Sequence, residues 1–393
     1  MARYILFRCS GLYGSVDYLV DELIAAFIAE GDQISPIFAQ RDDSLGALER
    51  AIAIGADGYI GITGLGIDSR REDNLYNALG WPFASIFLDP VALYWHQIVT
   101  PMRRRVLFTT APDDVEYCAG LAGAPATRHL PHASPPVPAG LRLPWQRRDL
   151  DILFAGTAPE DPAALRARWR NLGVHVERRL NDILEAHDAA PFAPILPLVA
   201  KGAAPAARLD APQTLYPYFS AIDTYLRARA RWLTAQALLP MPVQFVGPGW
   251  DRIVSAAKGP TRAKAVGEVP AAALAPAFRR ARLVVNTCTP YHGSHERIFD
   301  AMAGGAVALT TATTWLRSAA PAGSLVQFRA EAMDVASRAA ELLRPGSEAE
   351  AIAAAGTAWH AAAHTWRHRV QEIKSELADL QGNRFRLTGA SAG

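Results

Sequence analysis

The densest run of chemically capable side chains is Thr287-Cys-Thr-Pro-Tyr-His-Gly293, followed by Ser294-His-Glu-Arg297 and Asp300. It begins where the apolar segment Leu283 to Asn286 ends. Ser294 is of the type that caps a helix amino terminus. His295 to Ala303 then predicts a helix of about two turns with Ile298, Phe299 and Met302 inward. Gly304-Gly305 stops it, because glycine tolerates the left-handed backbone a helix end needs. The next strand candidate is Ala306 to Leu309. The pattern is therefore strand, loop, helix, tight turn, strand. Such a loop sits at the carboxyl end of a strand, the edge on which open α/β sheets bind ligands. Backbone N–H groups and the helix dipole favour a phosphate there. Glu296 and Asp300 suit sugar or ribose hydroxyls, and Arg297 suits a diphosphate. Tyr291, His292, Gly293 and Ser294 complete the candidate set.

The elements that must hold this loop follow the same logic. Tyr4 to Phe7 is a short apolar run leading to Gly11 and Gly14. A helical stretch follows with Val16, Leu19, Val20, Leu23, Ile24 and Phe27 at helical spacing. Ile34 to Phe38, Gly58 to Ile62, Trp81 to Leu88 and Val106 to Thr109 add strand candidates, with a helix over Leu45 to Ile54. Strands alternating with helices indicate parallel sheets covered on both faces. The proline-rich stretch 131–148 reads as a boundary. Asp151 to Thr157 restarts the pattern, and a mostly helical region over 162–240, broken near 189–214, separates it from Val243 to Val246. The expected division is 1–148, 149–350, and a terminal helix from 351 that packs back on the first domain and ends in a disordered tail, Leu387 to Gly393.

At roughly 150 residues per domain, 393 residues allow two to three domains. Lys+Arg 40 against Asp+Glu 38 leaves +2, without the broad basic field of a dedicated nucleic-acid binder. Cys9, Cys118 and Cys288 are odd in number and far apart, which points to reduced thiols, a cytoplasmic location and no zinc site. No apolar run reaches the ~18 residues of a membrane span. Gly61 to Gly66 is not in the dinucleotide-binding order, and no P-loop occurs. His360, His364 and His368, four apart, are read as structural rather than as metal ligands. The basic runs Arg103 to Arg105 and Arg147-Arg148 are read as solvated faces.

Arg297-Ile-Phe-Asp-Ala-Met-Ala-Gly-Gly-Ala-Val-Ala-Leu-Thr310 resembles the C-terminal signature of GT-B glycosyltransferases, and is most similar to the group around the spore-maturation protein CgeB. Leu130-Pro-His-Ala133, Asp151-Ile-Leu-Phe-Ala-Gly156, Phe245-Val-Gly-Pro-Gly-Trp250, Gly267-Glu-Val269 and His364-Thr-Trp-Arg-His-Arg369 follow the family in order. The resemblance covers about 130–370. It implies two Rossmann-like domains facing across a cleft, with the acceptor on the first and a nucleotide-sugar donor, such as a UDP-sugar, on the second. The implied activity is metal-independent hexosyl transfer, with no cofactor beyond the donor and an acceptor that is a protein, a glycan or a small molecule. The donor site would comprise Gly156, Thr157, Gly247, Tyr291, His292, Gly293, Ser294, Glu296, Arg297 and Asp300, with Arg297 also counted as catalytic. Gly11 and Gly14 would either contact substrate or only turn the chain.

Two departures stand out. Retaining members often carry two glutamates separated by seven residues, and here those places are His292 and Asp300. The cationic pair that often follows the first strand of the second domain is missing at Gly156-Thr157. A base for the acceptor hydroxyl would be Asp17, His96 or Asp89. Asp223, Tyr225, Arg227 and Arg231 are read as holding the helical insert in place, and His132 as either a contact residue or a structural one. An epimerase or hydrolase on the same scaffold, or a non-catalytic assembly protein, are the competing readings.

Overall fold

The computed structural model describes residues 1–9, 14–66 and 72–389. It divides into two compact units, Met1–Pro131 with Trp366–Gly393, and His132–Thr365.

In the first unit, β1 (Arg3–Arg8), α1 (Ser15–Ala29), β2 (Gln33–Phe38), α2 (Ser44–Ile54), β3 (Gly58–Ile62) and α3 (Leu75–Leu79) alternate. They continue through β4 (Phe83–Phe87), α4 (Trp95–Ile98), β5 (Arg105–Thr109), α5 (Pro112–Ala119) and β6 (Ala126–His129). The strands form one sheet in the order β2-β1-β3-β4-β5-β6, every pair parallel. β3, β4 and β5 are buried along their whole length, as strands covered on both faces must be. Phe7, Tyr59, Tyr76 and Phe83 form the aromatic centre on one face. The short polar strand β6 lacks the apolar signature that marks the other five.

The second unit opens with β7 (Leu150–Ala155) and then a helical insert. This consists of α6 (Pro162–Arg168), α7 (Val174–Ala189), α8 (Ile195–Gly202) and α9 (Pro212–Leu238). The region expected to be a loop near 189–214 thus contains α8, whose Ile195, Leu196 and Val199 are buried. The sheet resumes with β8 (Val243–Val246), α10 (Trp250–Ser255), β9 (Lys264–Gly267), α11 (Ala271–Arg280), β10 (Ala281–Asn286), α12 (Glu296–Ala303) and β11 (Val307–Thr311). It closes with α13 (Thr314–Ala319), β12 (Val326–Phe328), α14 (Val335–Leu342) and α15 (Ala349–Ala363). The strand order is β12-β11-β10-β7-β8-β9, again all parallel. The first strand of this sheet, β7, lies between β10 and β8. The strand order therefore reverses direction at the β7/β10 pair, the switch point where such sheets open a crevice for ligands.

The unit boundaries differ from those read in the sequence. The proline-rich stretch after Pro131 belongs to the second unit because its polar groups are spent there. His132 N–H donates to Ser294 Oγ, Ser134 N–H to the His364 carbonyl, and Arg148 to the carbonyls of Ala281 and Gly304. Arg148 is buried rather than solvated, and burial lowers its pKa to about 10. Arg105 is buried likewise in β5, donating to Ser85 Oγ and the Gln97 carbonyl. The terminal helical run is also not continuous. α15 ends at Ala363, and α16 (Trp366–Gly389) begins a new element belonging to the first unit. There it packs on α1 and contacts β4 and β5, with Arg367 paired to Glu30, Lys374 to Asp32 and Glu376 to Arg128. This break removes His368 from the helix that carries His360. His360 instead bonds Ser134 Oγ at 2.9 Å, and His364 stacks on Phe299. α16 runs to Gly389, into the expected tail, whose last four residues lie outside those described.

Candidate functional site

Three carboxyl-edge segments of the second sheet meet at the switch point. The first is Gly156-Thr157, leaving β7. Gly156 N–H donates to the Val246 carbonyl at 2.8 Å, and Trp250 Nε1 donates to the Gly156 carbonyl at 2.6 Å. The second is the turn after β8. A Cβ on Gly247 would lie 2.1 Å from the Gly156 carbonyl oxygen, and its φ is +133°, so only glycine lets the two backbones approach this closely. Trp250 is fully buried and stacks on Phe245 at 4.5 Å, anchoring that turn to the core.

The third segment is the loop from β10 to α12, pinned from beneath by threonines at the end of β11. Thr311 Oγ1 accepts from Cys288 N–H and donates to the Cys288 carbonyl, both at 2.7 Å. Thr313 Oγ1 donates to the Gly293 carbonyl at 2.6 Å, and Thr314 N–H to the Pro290 carbonyl at 2.8 Å. Cys288 lies under this loop as a buried thiol, its pKa pushed up to about 11 by burial.

The N-cap position of α12 falls on His295, not Ser294. Ser294 is fully buried, and its Oγ accepts from His132 N–H at 3.0 Å while lying 3.1 Å from His132 Nδ1. Its hydroxyl is thus consumed by the segment that opens the unit, which leaves the cap to the next residue. Ile298, Phe299 and Met302 are buried as expected, together with Ala301 and Ala303.

Around the amino end of α12 stand three guanidinium groups. Arg297 reaches back over Gly156, where an added Cβ would lie 3.6 Å from the guanidinium carbon, and places Nη1 3.2 Å from His295 Nε2. Arg231, from α9, donates to the Thr157 carbonyl at 3.0 Å, while its Nε finds no acceptor among the described residues. Burial, together with the positive charges of Arg297 and Arg227, lowers its pKa to about 10. Arg227, one turn earlier on α9, pairs with Asp223 at 2.8 Å and approaches His292 Nδ1 at 3.3 Å. Asp223 also accepts from the buried Tyr291 hydroxyl at 2.9 Å, so α9 and the loop are tied together.

Glu296 is the carboxylate among these cations. Burial alone would raise its pKa, but the hydrogen bond from His295 at 2.8 Å and the charge of Arg297 at 3.9 Å hold it well below the usual carboxylate range. Burial lowers the pKa of His295, and that of His292 falls well below its ordinary value. The imidazoles of His292 and His295 are therefore neutral near pH 7, and the positive charge of this edge resides on arginine.

Residues 227–375 match the family described as glycosyl transferase-like. Among solved structures, a sucrose-phosphate synthase from Thermosynechococcus elongatus aligns over 100% of both chains at 13% identity and TM-score 0.53. A glycosyltransferase from Rickettsia africae aligns over 97% of this chain and 99% of its own at 9% identity and TM-score 0.55. Anabaena HepE in complex with UDP-glucose aligns over 96% of this chain and 100% of its own at 12% identity and TM-score 0.54. No curated protein matches the chain by sequence. The fold is GT-B.

Within this GT-B chain the structure groups Gly156, Thr157, Gly247, His292, Gly293, Glu296 and Arg297 around one edge, with Asp300 one turn further along α12. Tyr291 and Ser294 are buried there with their hydroxyls engaged by other protein groups. In the first unit, Gly14 caps α1 with φ +69°, and Gly11 lies outside the described residues. Asp17 pairs with the buried Arg8 at 3.2 Å, Asp89 accepts from the Tyr94 hydroxyl at 3.4 Å, and His96 is exposed on α4. Sequence reasoning gave Arg227 and Arg231 only a structural role. The signal was present, because Asp223, Arg227 and Arg231 are spaced by four and share one face of α9. Among the described residues no group of three His, Cys, Asp or Glu side chains could hold a metal ion, and no helix is long and apolar enough to cross a membrane.

Proposed function

We propose that this protein transfers a sugar, a hexose in our reading, from a nucleoside-diphosphate-sugar to a hydroxyl acceptor. The observation that carries the reading is the convergence of Arg227, Arg231 and Arg297 on the amino end of α12 at the switch point of the second sheet. Arginine forks match phosphate oxygens, and a helix amino terminus favours the same charge. In the reaction the bond between the sugar anomeric carbon and the diphosphate breaks, and its electron pair stays on the diphosphate. The acceptor oxygen forms the new bond, and its proton passes to solvent overall. Fixed cations aimed at the departing diphosphate stabilise the charge that develops, which supports transfer without a metal ion. Glu296, kept ionised by His295 and Arg297, is available to accept hydrogen bonds from donor hydroxyls.

The donor nucleotide is taken to be UDP, since the HepE structure holds UDP-glucose. The acceptor falls to the first unit, where Asp17, Asp89 and His96 are the candidate bases. A place near the CgeB-like group rests on the Arg297 to Thr310 signature. The three free cysteines fit a reducing compartment, and the cytoplasm is our assignment.

The test is binding followed by turnover. A ligand that binds only the native state raises the melting temperature, so UDP should raise Tm, and UDP-hexoses should be consumed only when an acceptor is supplied. Conversion of the UDP-sugar alone would favour the epimerase or hydrolase reading. Absence of a shift with every nucleoside diphosphate would favour a non-catalytic protein.

A further inference from the structure

Two histidines in the β10–α12 loop each face an arginine, and these contacts fix opposite tautomers. Arginine has only donors to offer, so a ring nitrogen bonded to it must be the unprotonated one. Arg297 Nη1 lies 3.2 Å from His295 Nε2, and Glu296 Oε2 lies 2.8 Å from His295 Nδ1. His295 thus carries its proton on Nδ1 and donates it to Glu296. Arg297 N–H, 3.4 Å from the same Nδ1, is the weakest of these contacts. His292 is the reverse. Arg227 Nη2 lies 3.3 Å from its Nδ1, so the proton sits on Nε2. That Nε2–H meets no acceptor among the described residues, although His292 is only 4% exposed. The ring is held face to face with His132 at 6.2 Å between centroids. Behind it runs a chain of contacts from Tyr291 to Asp223 to Arg227.

We propose that His292 is a neutral hydrogen-bond donor to the diphosphate of the donor substrate, and that Arg227 is the positioning residue that keeps its proton on Nε2. The inference rests on the donor reading of this edge given above. A diphosphate fits better than a sugar hydroxyl, because its oxygens only accept while the uncommitted ring nitrogen only donates. A hydrogen bond to a charged acceptor is also the stronger kind. A neutral donor further adds no fourth positive charge to three crowded arginines, where burial first and the charges of Arg297 and Arg227 second already depress Arg231. This assignment gives chemical content to a position where a carboxylate was expected.

The test uses the full chain labelled with ¹⁵N-histidine. His292 is picked out among the ten histidines by comparison with His292→Gln. At neutral pH its Nδ1 should show the shift of an unprotonated nitrogen and its Nε2 that of a protonated one. Adding UDP should move the Nε2 signal. Arg227→Met should let the Nδ1-protonated form appear. His292→Leu should weaken UDP binding about 10- to 100-fold, the range a hydrogen bond to a charged group is worth. His292→Gln should recover most of that, because its amide can donate from nearly the same place. A wild-type ring protonated on Nδ1, or unchanged UDP affinity in a folded His292→Leu protein, overturns the proposal and leaves the nucleotide site standing. If wild-type protein binds neither UDP nor any other nucleoside diphosphate, the donor reading falls and this proposal falls with it.

Discussion

The two sheets carry six parallel strands each, yet their strand orders differ and so does the chemistry at their carboxyl edges. In the first unit the order reverses between β1 and β3. The buried arginine that ends β1, Arg8, is answered there by two carboxylates, Asp17 at 3.2 Å and Asp21 at 2.5 Å. In the second unit the reversal falls between β7 and β10. Arg297 and Arg231 there face each other's charge, and the carboxylate nearest to them, Glu296, is shared with His295 and His132. One edge has its cation matched inside the protein, whereas the other holds arginines whose charges are incompletely answered. The physical consequence is that an anionic ligand gains most at the second edge, and removing a cation should cost ligand affinity there but stability in the first unit.

Arg297→Ala and Arg8→Met put that contrast to its hardest test. Arg297→Ala should abolish transfer and weaken UDP binding by at least about 100-fold, the loss of a charge-assisted bidentate partner, with the circular dichroism unchanged. Arg8→Met should leave UDP affinity unaltered and instead lower stability by about 1–3 kcal/mol, since Asp17 loses its buried partner. Calorimetric titration and thermal melting of both variants decide the matter. If Arg8→Met loses UDP while Arg297→Ala binds it normally, the donor has been assigned to the wrong sheet.

A smaller effect should follow from Gly247→Ala, which adds a methyl group where the backbones of two loops touch. The new Cβ would fall 2.1 Å from the Gly156 carbonyl oxygen at a φ of +133°, so the β7 and β8 turns must separate. Overpacking plus backbone strain costs about 3 kcal/mol. Because Arg297 rests on Gly156, UDP affinity should fall along with Tm. The control is Gly80→Ala in the first unit. Its φ of +66° carries strain too, but its Cβ meets no atom within 4 Å, so it should lose stability alone. Equal Tm losses with UDP binding intact in both variants would mean the Gly156–Gly247 contact does not shape the site.

How far the sequence revealed this molecule depended on whether a feature was local. The strand–loop–helix from Leu283 to Ala303 was legible because apolar periodicity, a capping residue and a glycine stop act within a few positions. The strands β6, β9 and β12 were not, because they are short, β6 is mostly polar and β9 is exposed along its whole length. The identity of the α12 cap was missed for a non-local reason: Ser294 is claimed by His132, 162 positions away in the chain. The arginines of α9 were visible as residues but not as neighbours of Arg297, since 66 positions separate Arg231 from Arg297 and only the folded insert brings them together. From α9, Arg231 nevertheless reaches the Gly156-Thr157 segment, donating to the Thr157 carbonyl at 3.0 Å, a contact between distant parts of the chain that the segment itself does not reveal.

The smallest expected effect concerns acid sensitivity in the first unit, away from the arginine cluster. His129, at the end of β6, donates from Nε2 to the Thr110 carbonyl at 3.2 Å. Burial lowers its pKa from 6.5 to about 4, with Arg369 of α16 acting in the same direction and the Thr110 bond opposing both. Folded protein therefore keeps His129 neutral where the unfolded chain is already protonated. The unfolded state binds more protons, so stability falls as pH drops from about 6.5 to about 4 and flattens below. The loss attributable to this one ring is on the order of 2 kcal/mol once its partial exposure is discounted. His129→Gln retains a donor to Thr110 and cannot titrate, so it should flatten that part of the stability profile measured by urea titration at successive pH values. Should the slope between pH 6.5 and 4 persist undiminished in His129→Gln, the acid sensitivity belongs to the histidines of the second unit, His187, His292 and His295, whose pKa values burial also lowers. In that case the site edge, not the first sheet, is the part of the molecule that acid opens first.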